Sequence, residues 1–205
     1  MCKDHSMASL GFTDEKVPIG AHICQIFSNH NERIDALLKF LLSGLQAGER
    51  TTCFSDMIDE ETLRKFFSSQ NISYDERKQN KAIALAGTKE VYFQENVFDP
   101  DRMLNTLSTY HQESLDLGFP AVRVIGEMMP EIRGISGGDR LFEYESRLTM
   151  LLRDNPVTTL CQYDANVFSG AAIMDVLKVH PLIIVKGQLV HNPFCLLSDD
   201  FLKAH

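Results

Sequence analysis

Short apolar runs alternate with segments of helical periodicity along most of this chain. The runs are apolar throughout rather than at every second position, which is typical of strands covered on both faces. Regular alternation predicts βαβ units, and therefore an α/β three-layer sandwich around a mostly parallel sheet. Strands are predicted at His22–Phe27, Thr51–Asp56, Ala82–Ala86, Ala121–Met128, Thr158–Tyr163 and Leu182–Val185.

The helical segments carry apolar stripes and end signals. Leu37, Leu41 and Leu45 repeat at four-residue steps before Gly48, and Pro100 occupies a first-turn position where it costs no hydrogen bond. A turn at Lys186–Gln188 predicts a C-terminal antiparallel hairpin. Helices are predicted at Asn31–Gln46, Asp59–Ser69, Asp101–Leu117, Gly138–Arg153 and Ser169–Val179.

Length and order bound the domain organisation. A chain of 205 residues fits one α/β domain, which we expect at residues 20–205 after a loosely held N-terminal tail at residues 1–19. The polar segment Gln70–Lys81 is expected to be a loop that could serve as a lid.

Composition excludes several classes of protein. A net charge of −8 argues against direct nucleic-acid binding, which needs a cationic surface. No stretch reaches the length of a membrane span, and the first twenty residues lack a secretory core. The five cysteines form no Cys-x-x-Cys pair, and Cys24, Cys53 and Cys161 lie in apolar runs. We therefore expect a cytoplasmic protein.

The first strand–helix junction lacks a phosphate-binding loop. In a nucleotide-binding α/β protein this junction would carry a Walker A motif, whose backbone N–H groups and lysine hold phosphate. Here it reads Ser28-Asn29-His30-Asn31-Glu32-Arg33, and no Gly-Lys pair occurs anywhere in the chain. The sequence of this junction therefore favours a sensory protein over an enzyme driven by a nucleotide.

Polar side chains are expected at the carboxyl ends of the strands, where open α/β sheets bind ligands. We predict a small-molecule site there, bounded by Gln25, Asp56, Glu127, Tyr163 and Asp164, with Arg140 from the following helix. The alternative is that acids end strands simply because the chain reaches the surface. No catalytic residue, metal site or cofactor is predicted.

Glu127 closes an apolar run, AVRVIGE, in the manner of a Walker B element. A magnesium or nucleotide role for it is the alternative, although such a metal normally bridges nucleotide phosphates. The segment Met128–Arg140 after it could form an adaptable wall around an apolar ligand. A plain connection is the interpretation that we favour slightly.

Three further patterns have a functional and a structural interpretation. Arg140, Glu143 and Arg147 form a charge ladder, which favours a solvated helix face over a dimer interface or a cleft wall. His22 and Cys24 lie on one strand face and could ligate a metal, but a core histidine is favoured because no second pair has ligand spacing. No motif for a Ser-His-Asp or Cys-His nucleophile is present.

Several segments together resemble the MEDS family, the methanogen/methylotroph sensory domain. They are HICQIF, NERIDALLKFLLSGLQAGE, FDPDRMLNTL, GFPAVRVIGEMM, EYESRLTMLL, VTTLCQYD and the HNPF tail, from about His22 to Phe194. The matching positions are His22, Gln25, Phe27, Glu127, Glu143, Glu145, Arg147, Cys161, Gln162, Tyr163 and Asp164.

The resemblance implies a RecA/KaiC-like P-loop fold that lacks Walker A and acts as a cytosolic sensor of one-carbon or hydrocarbon derivatives. It also implies a sensor kinase or transcription regulator as partner, here expected on a separate chain, and a homodimer is possible. A nucleotide-binding ATPase relative and a protein-interaction scaffold are the alternative functions.

Overall fold

The structure is a computed structural model that describes residues 7–196. Its strands are β1 (Met7–Ser9), β2 (Lys16–Pro18), β3 (His22–Phe27), β4 (Arg50–Phe54), β5 (Ile83–Ala86), β6 (Val122–Glu127), β7 (Val157–Asp164), β8 (Leu182–Val185) and β9 (Gln188–His191). Its helices are α1 (His30–Gln46), α2 (Glu60–Ser69), α3 (Tyr74–Gln79), α4 (Thr88–Tyr92), α5 (Pro100–Asp116), α6 (Leu141–Asp154) and α7 (Gly170–Val179).

The central sheet has seven strands in the order β5-β4-β6-β7-β3-β8-β9. All neighbours in it are parallel except β8 and β9, which form the predicted antiparallel hairpin. Lys186 and Gly187 make its turn with φ of 50° and 73°. The predicted α/β fold is thereby confirmed, and β3 lies inside the sheet between β7 and β8.

Helices cover both faces of this sheet and give it three layers. One face packs against α1, α2 and α3 through residues such as Phe40, Leu63 and Tyr74. The other packs against α5, α6 and α7 through residues such as Leu107 and Leu148. Across the described residues, every helix is too short or too polar to cross a membrane.

A buried arginine joins the sheet to the layer above it. Arg123, in β6, is fully buried; its Nε donates to Glu49 Oε2 at 2.5 Å and its Nη1 to the carbonyls of Phe40 and Ser9 at 3.0 and 3.1 Å. A Cβ at Gly44 would lie 2.6 Å from Arg123 Cδ, so α1 approaches the guanidinium closely only because residue 44 is glycine.

The segment predicted to be a loosely held tail is ordered where the structure describes it. Residues 7–18 contain the antiparallel pair β1 and β2, with Ala8, Leu10 and Val17 buried in the same core as α1. The tail prediction is therefore wrong for these residues, because their apolar side chains pack in the core beside helix α1. Residues 1–6, and residues 197–205 of the predicted domain, lie outside the described range.

The segment Gln70–Lys81, predicted to be a loop or lid, contains helix α3 instead. Ser73 Oγ caps the helix by accepting from Glu76 N at 3.3 Å, and Tyr74 stacks on Phe67 of α2 with ring centroids 6.4 Å apart. The loop prediction failed because one capping serine and one buried aromatic residue outweigh the polar composition.

The connection Met128–Arg140 is closely packed. It forms 3-10 turns at Pro130–Gly134 and Gly138–Arg140, so the helix predicted from Gly138 begins at Leu141. Ile132 is fully buried, and a Cβ at Gly138 would overlap its carbonyl oxygen at 1.6 Å. This packing favours the plain connection over an adaptable ligand wall.

Candidate functional site at the carboxyl edge of the sheet

Asn29, in the junction between β3 and α1, is the N-cap of helix α1. Asn29 precedes the helix with extended φ and ψ, and its Oδ1 accepts from the backbone N–H groups of Asn31 and Glu32 at 2.8 and 3.4 Å. These are N–H groups that a helix start would otherwise offer to an anion. Two of the N–H groups in the first turn of α1 are therefore already bonded within the chain.

Glu127, at the end of β6, is held by two neighbours. Its Oε1 accepts from Arg33 Nη1 at 2.9 Å, and its Oε2 accepts from Ser55 Oγ at 2.7 Å. Arg33 lies on the buried side of α1 with 1% of its side chain exposed, against 12% for Glu127. The acid that resembled a magnesium-organising residue is thus paired with a cation of the same chain.

Two glutamines continue this network into the sheet. Gln25 and Gln162 are register partners on β3 and β7, and both are fully buried. Gln162 Nε2 donates to Gln25 Oε1 at 2.8 Å and to the carbonyl of Arg33 at 3.0 Å. Adjacent parallel strands present equivalent positions to the same side, so the pairing follows from register.

Several polar atoms of the network lack a partner among residues 7–196. They are the donors Gln25 Nε2, Arg33 Nε and Arg33 Nη2, and the acceptor Gln162 Oε1. A buried polar atom without a hydrogen bond costs roughly 1–3 kcal/mol. The network therefore has spare hydrogen-bonding capacity at the edge where ligands of open α/β sheets bind.

Asp56 and Asp164 flank this edge but bind their own loops. Asp56 Oδ1 accepts from Thr88 N at 3.1 Å and Asp56 Oδ2 accepts from the Thr88 hydroxyl, which ties the end of β4 to the start of α4. Asp164 Oδ1 accepts from Asn166 N at 2.9 Å, and Asn166 in turn donates to the carbonyl of Ser28 at 3.0 Å. Both acids therefore bind neighbouring loops at the rim of the network, by which we mean the chain at and just after the ends of β4 and β7.

Two other predicted site residues lie away from the network. Tyr163 is fully buried on the opposite face, where its hydroxyl donates to Glu145 Oε1 at 2.6 Å. Arg140 is on the surface and donates to both oxygens of Glu143 at 2.8 and 2.7 Å. Of the six predicted residues, Gln25 and Glu127 belong to the network, and they are linked to each other through Gln162 and Arg33.

The charge ladder lies on a partly exposed face of α6, and its choice between a solvated face and a dimer interface stays a prediction. Glu143 also accepts from Arg147 Nη1 at 3.1 Å, and Arg147 reaches Asp101 of α5 at 2.5 Å. Hydrogen bonds from Arg140, and then from Arg147, lower the pKa of Glu143.

Sequence reasoning missed Arg33, Ser55 and Gln162. Arg33 carried a signal, because it precedes Leu37 and Leu41 at four-residue steps and so falls on the apolar stripe of α1. A charge on that stripe needs a buried partner. Ser55 and Gln162 gave no such signal, since their roles depend on which strands become neighbours.

His22 and Cys24 are both buried, as expected for core residues. His22, however, belongs to a cluster with Glu145, Cys161 and His180, residues contributed by distant segments. Burial lowers the pKa of His22 and of His180 to about 3. Although His22 lies 3.2 Å from Glu145, its imidazole is therefore neutral and the contact is no ion pair.

Two surface cavities lie away from the carboxyl edge. One, of about 490 Å³, lies beside α2 and α3 and is lined by Arg64 and Asn71. The other, of about 840 Å³, lies at the amino ends of the central strands and is lined by His22, Thr149 and Pro181.

Comparisons with known proteins identify relatives. The family model described as MEDS, MEthanogen/methylotroph, DcmR Sensory domain, matches residues 21–181. Transcriptional repressor DcmR of Methylorubrum extorquens (strain DSM 6343 / CIP 106787 / DM4) is 26% identical over 173 residues, which are 78% of this chain and 57% of that protein. The chain thus spans little more than half the length of that relative.

Two solved structures share the fold. A KaiC-like protein from Pyrococcus horikoshii OT3 matches with a TM-score of 0.59 and 15% identity, over 87% of this chain and 79% of that chain. Flagellar accessory protein FlaH from Methanocaldococcus jannaschii matches with a TM-score of 0.59 and 10% identity, over 91% and 84%. The RecA/KaiC-like fold is confirmed, and at these identities the likeness shows the fold alone.

Proposed function

The chain belongs to the MEDS family of sensory domains, and on that premise we propose that it is a non-catalytic signal-input module that binds a small molecule. The observation that carries the proposal is the Arg33–Glu127 ion pair. A Walker B acid must face magnesium and nucleotide phosphates to serve catalysis. Here the acid is paired with an arginine from α1, and the side chain of Asn29 accepts a hydrogen bond from a backbone N–H at the start of that helix.

The proposed ligand site is the network of Gln25, Gln162, Arg33 and Glu127. Its spare groups are three donors and one acceptor within the described protein, which suit a compact ligand rich in hydrogen-bond acceptors. A one-carbon or small hydrocarbon derivative that carries a polar group has this size and chemistry. Asp56 and Asp164 would form the rim, and Tyr163 and Arg140 would take no direct part.

Signalling requires a ligand to bind two conformations with different affinity. A ligand acceptor that takes over the guanidinium of Arg33 would release it from Glu127. Because Arg33 lies in α1 and Glu127 in β6, that exchange would change the contact between this helix and the sheet. The ion pair is thus the proposed two-state element.

The output would pass through another protein. One relative is Transcriptional repressor DcmR, and this chain spans 57% of its length. We accordingly place this chain in the cytoplasm, with a transcription regulator or sensor kinase on a separate chain as its partner. A homodimer is the proposed assembly.

A thermal-shift screen of the full chain tests the ligand site. The panel comprises small carboxylates and alcohols, methylated amines, thiols, halomethanes and nucleotides, and we expect a small compound that accepts hydrogen bonds to raise the melting temperature. Glu127→Ala should abolish that rise, whereas Glu131→Ala, in the exposed 3-10 turn, should preserve it. An unchanged rise in Glu127→Ala would show that the ligand binds elsewhere.

Titration calorimetry with Mg-ATP tests the nucleotide alternative. We expect no binding heat, because Arg33 and Asn29 occupy the groups that magnesium and phosphate would need. Micromolar binding would overturn the proposed function in favour of an ATPase relative. If no compound in either experiment bound, the interaction scaffold would replace the sensor.

A further inference from the structure

Four buried side chains with metal-binding atoms meet on the α6 side of the sheet. They are His22 at the start of β3, Cys161 in β7, Glu145 in α6 and His180 directly after α7. None is more than 4% exposed. One donor atom from each lies within 4.8 Å of the donor atoms of the other three.

Four of the six separations between these atoms are close to those around a tetrahedral ion, and the other two are within 4.8 Å. Glu145 Oε2 lies 3.2 Å from His22 Nε2, 3.6 Å from His180 Nε2 and 3.8 Å from Cys161 Sγ. Cys161 Sγ lies 3.7 Å from His22 Nε2. Donor atoms around a tetrahedral zinc ion are roughly 3.3 to 3.8 Å apart, since the zinc bonds are about 2.0 to 2.3 Å long.

Hydrogen bonds outside the cluster turn both histidines toward its centre. His180 Nδ1 lies 2.8 Å from the carbonyl of Val176, which can only accept, so Nδ1 carries the proton and Nε2 presents a lone pair. His22 Nδ1 lies 2.8 Å from Thr149 Oγ1, whose own proton can go to the carbonyl of Val179 at 3.2 Å. Nε2 of His22 then presents a lone pair as well.

Glu145 is oriented in the same way. Its Oε1 accepts from the Tyr163 hydroxyl at 2.6 Å, which leaves Oε2 to face the histidines. Metal-binding histidines and carboxylates typically make this kind of outer hydrogen bond, which fixes the ligand and its tautomer.

Without a cation the centre of the cluster is poorly satisfied. A proton on Glu145 or on the Cys161 thiol can serve one histidine, and His180 Nε2 has no hydrogen-bond partner in residues 7–196. Lone pairs from two imidazoles and a carboxyl oxygen converge among buried side chains. A bound cation would satisfy all of them together.

We propose that His22, Glu145, Cys161 and His180 bind one zinc ion. Two imidazoles, a thiolate and a carboxylate in tetrahedral array are the donor set and geometry that zinc prefers. Zinc coordinates the thiolate, so the Cys161 proton passes to the buffer on binding. The ion joins two strands, α6 and the chain after α7, on the opposite side of the sheet from the proposed sensory network. His22, one of the four, also lines the cavity at the amino ends of the central strands.

Metal analysis of the full chain without a polyhistidine tag tests the site. After incubation with zinc chloride and exhaustive dialysis, we expect one equivalent of zinc by mass spectrometry. The cobalt-substituted protein should show the d–d absorption of a tetrahedral ion and a thiolate-to-cobalt charge-transfer band. Zinc well below one equivalent, or a cobalt protein without the thiolate band, would overturn the proposal.

Two cysteine variants form a matched pair. Cys161→Ser should lose the charge-transfer band, while Cys24→Ser, its register partner on β3, should keep both band and stoichiometry. Equal loss in the two variants would contradict the assignment of Cys161. Should Cys161→Ser not fold, the wild-type cobalt spectrum still decides whether a thiolate coordinates the ion.

A conservative variant of the outer hydrogen bond gives an independent measure. Tyr163→Phe removes only the hydroxyl that orients Glu145, and we expect zinc affinity, measured by competition with a chelator, to fall about 10- to 100-fold. Unchanged affinity would contradict the role of Glu145 as a ligand. None of these outcomes depends on whether a small molecule binds at the carboxyl edge.

Discussion

At the scale of single residues, Glu127 is the position whose chemistry is decided by a neighbour distant in sequence. Its strand resembles one that ends on a magnesium-organising acid, but Arg33 lies 2.9 Å away and is nearly inaccessible to solvent. A buried cation that loses its partner is costly, whereas replacing both partners with apolar residues often costs little.

The Arg33–Glu127 pair can therefore be tested by double substitution. Arg33→Met should lower the free energy of unfolding by about 2–4 kcal/mol, because Glu127 loses its counter-charge. Adding Glu127→Met should recover most of that loss, as measured by urea denaturation. Arg64→Met, in a 40%-exposed surface network, is the control and should cost less than about 1 kcal/mol. Equal losses for Arg33→Met and Arg64→Met would contradict the burial argument.

Gly44 makes room for another buried arginine. Gly44→Ala would place a methyl group 2.6 Å from both Arg123 Cδ and Thr51 Cγ2. We expect the free energy of unfolding to fall by about 1–3 kcal/mol despite the better helix propensity of alanine. Gly170→Ala is the matched control, since no described atom lies within 4 Å of its added Cβ. A neutral Gly44→Ala would mean that Arg123 can move aside.

At the scale of elements, the start of α1 decides whether the helix can bind an anion. Asn29→Ala removes the side chain that accepts from Asn31 and Glu32, and should lower the free energy of unfolding by about 1 kcal/mol. Asn31→Ala is the control within the same turn. If both variants unfold at the same urea concentration as the wild type, Asn29 does not stabilise the helix in solution.

The ladder on α6 predicts a pH dependence. Hydrogen bonds from Arg140 and Arg147 lower the pKa of Glu143 in the folded state. Its stabilisation is therefore present above the ordinary glutamate pKa and is lost as the pH falls through the lowered value. Glu143→Gln should cost a few tenths of a kcal/mol at neutral pH, because the group is partly exposed. Urea denaturation should show the two proteins converging in acid; a difference that persisted there would contradict this cause.

At the scale of the whole molecule, the strands in the middle of the sheet are buried almost completely. Hydrogen–deuterium exchange should therefore be slowest in β3, β6 and β7, which have a strand on each side and helices above and below. Exchange should be faster in β9, an edge strand with mostly exposed side chains. Mass spectrometry of peptides measures this, and protection of β9 equal to that of β3 would contradict the layered packing.

Much of the architecture could be predicted because its signals are local. The continuous apolar runs, the leucine repeat of α1 and the first-turn position of Pro100 locate strands and helices within a few residues. Gln70–Lys81 was misjudged because its helix depends on Tyr74 stacking against α2, a contact that polar composition conceals. The N-terminal hairpin was missed for the same reason.

The sequence by itself determined the α/β class and the absence of a phosphate loop, since both depend on the order of residues along the chain. Only the tertiary structure decided the chemistry of the polar side chains. It paired Glu127 with Arg33, separated Tyr163 and Arg140 from Gln25, and brought His180 beside His22. The physical reason is that burial makes a polar or charged group depend on its partners, and strand order chooses those partners from distant parts of the chain.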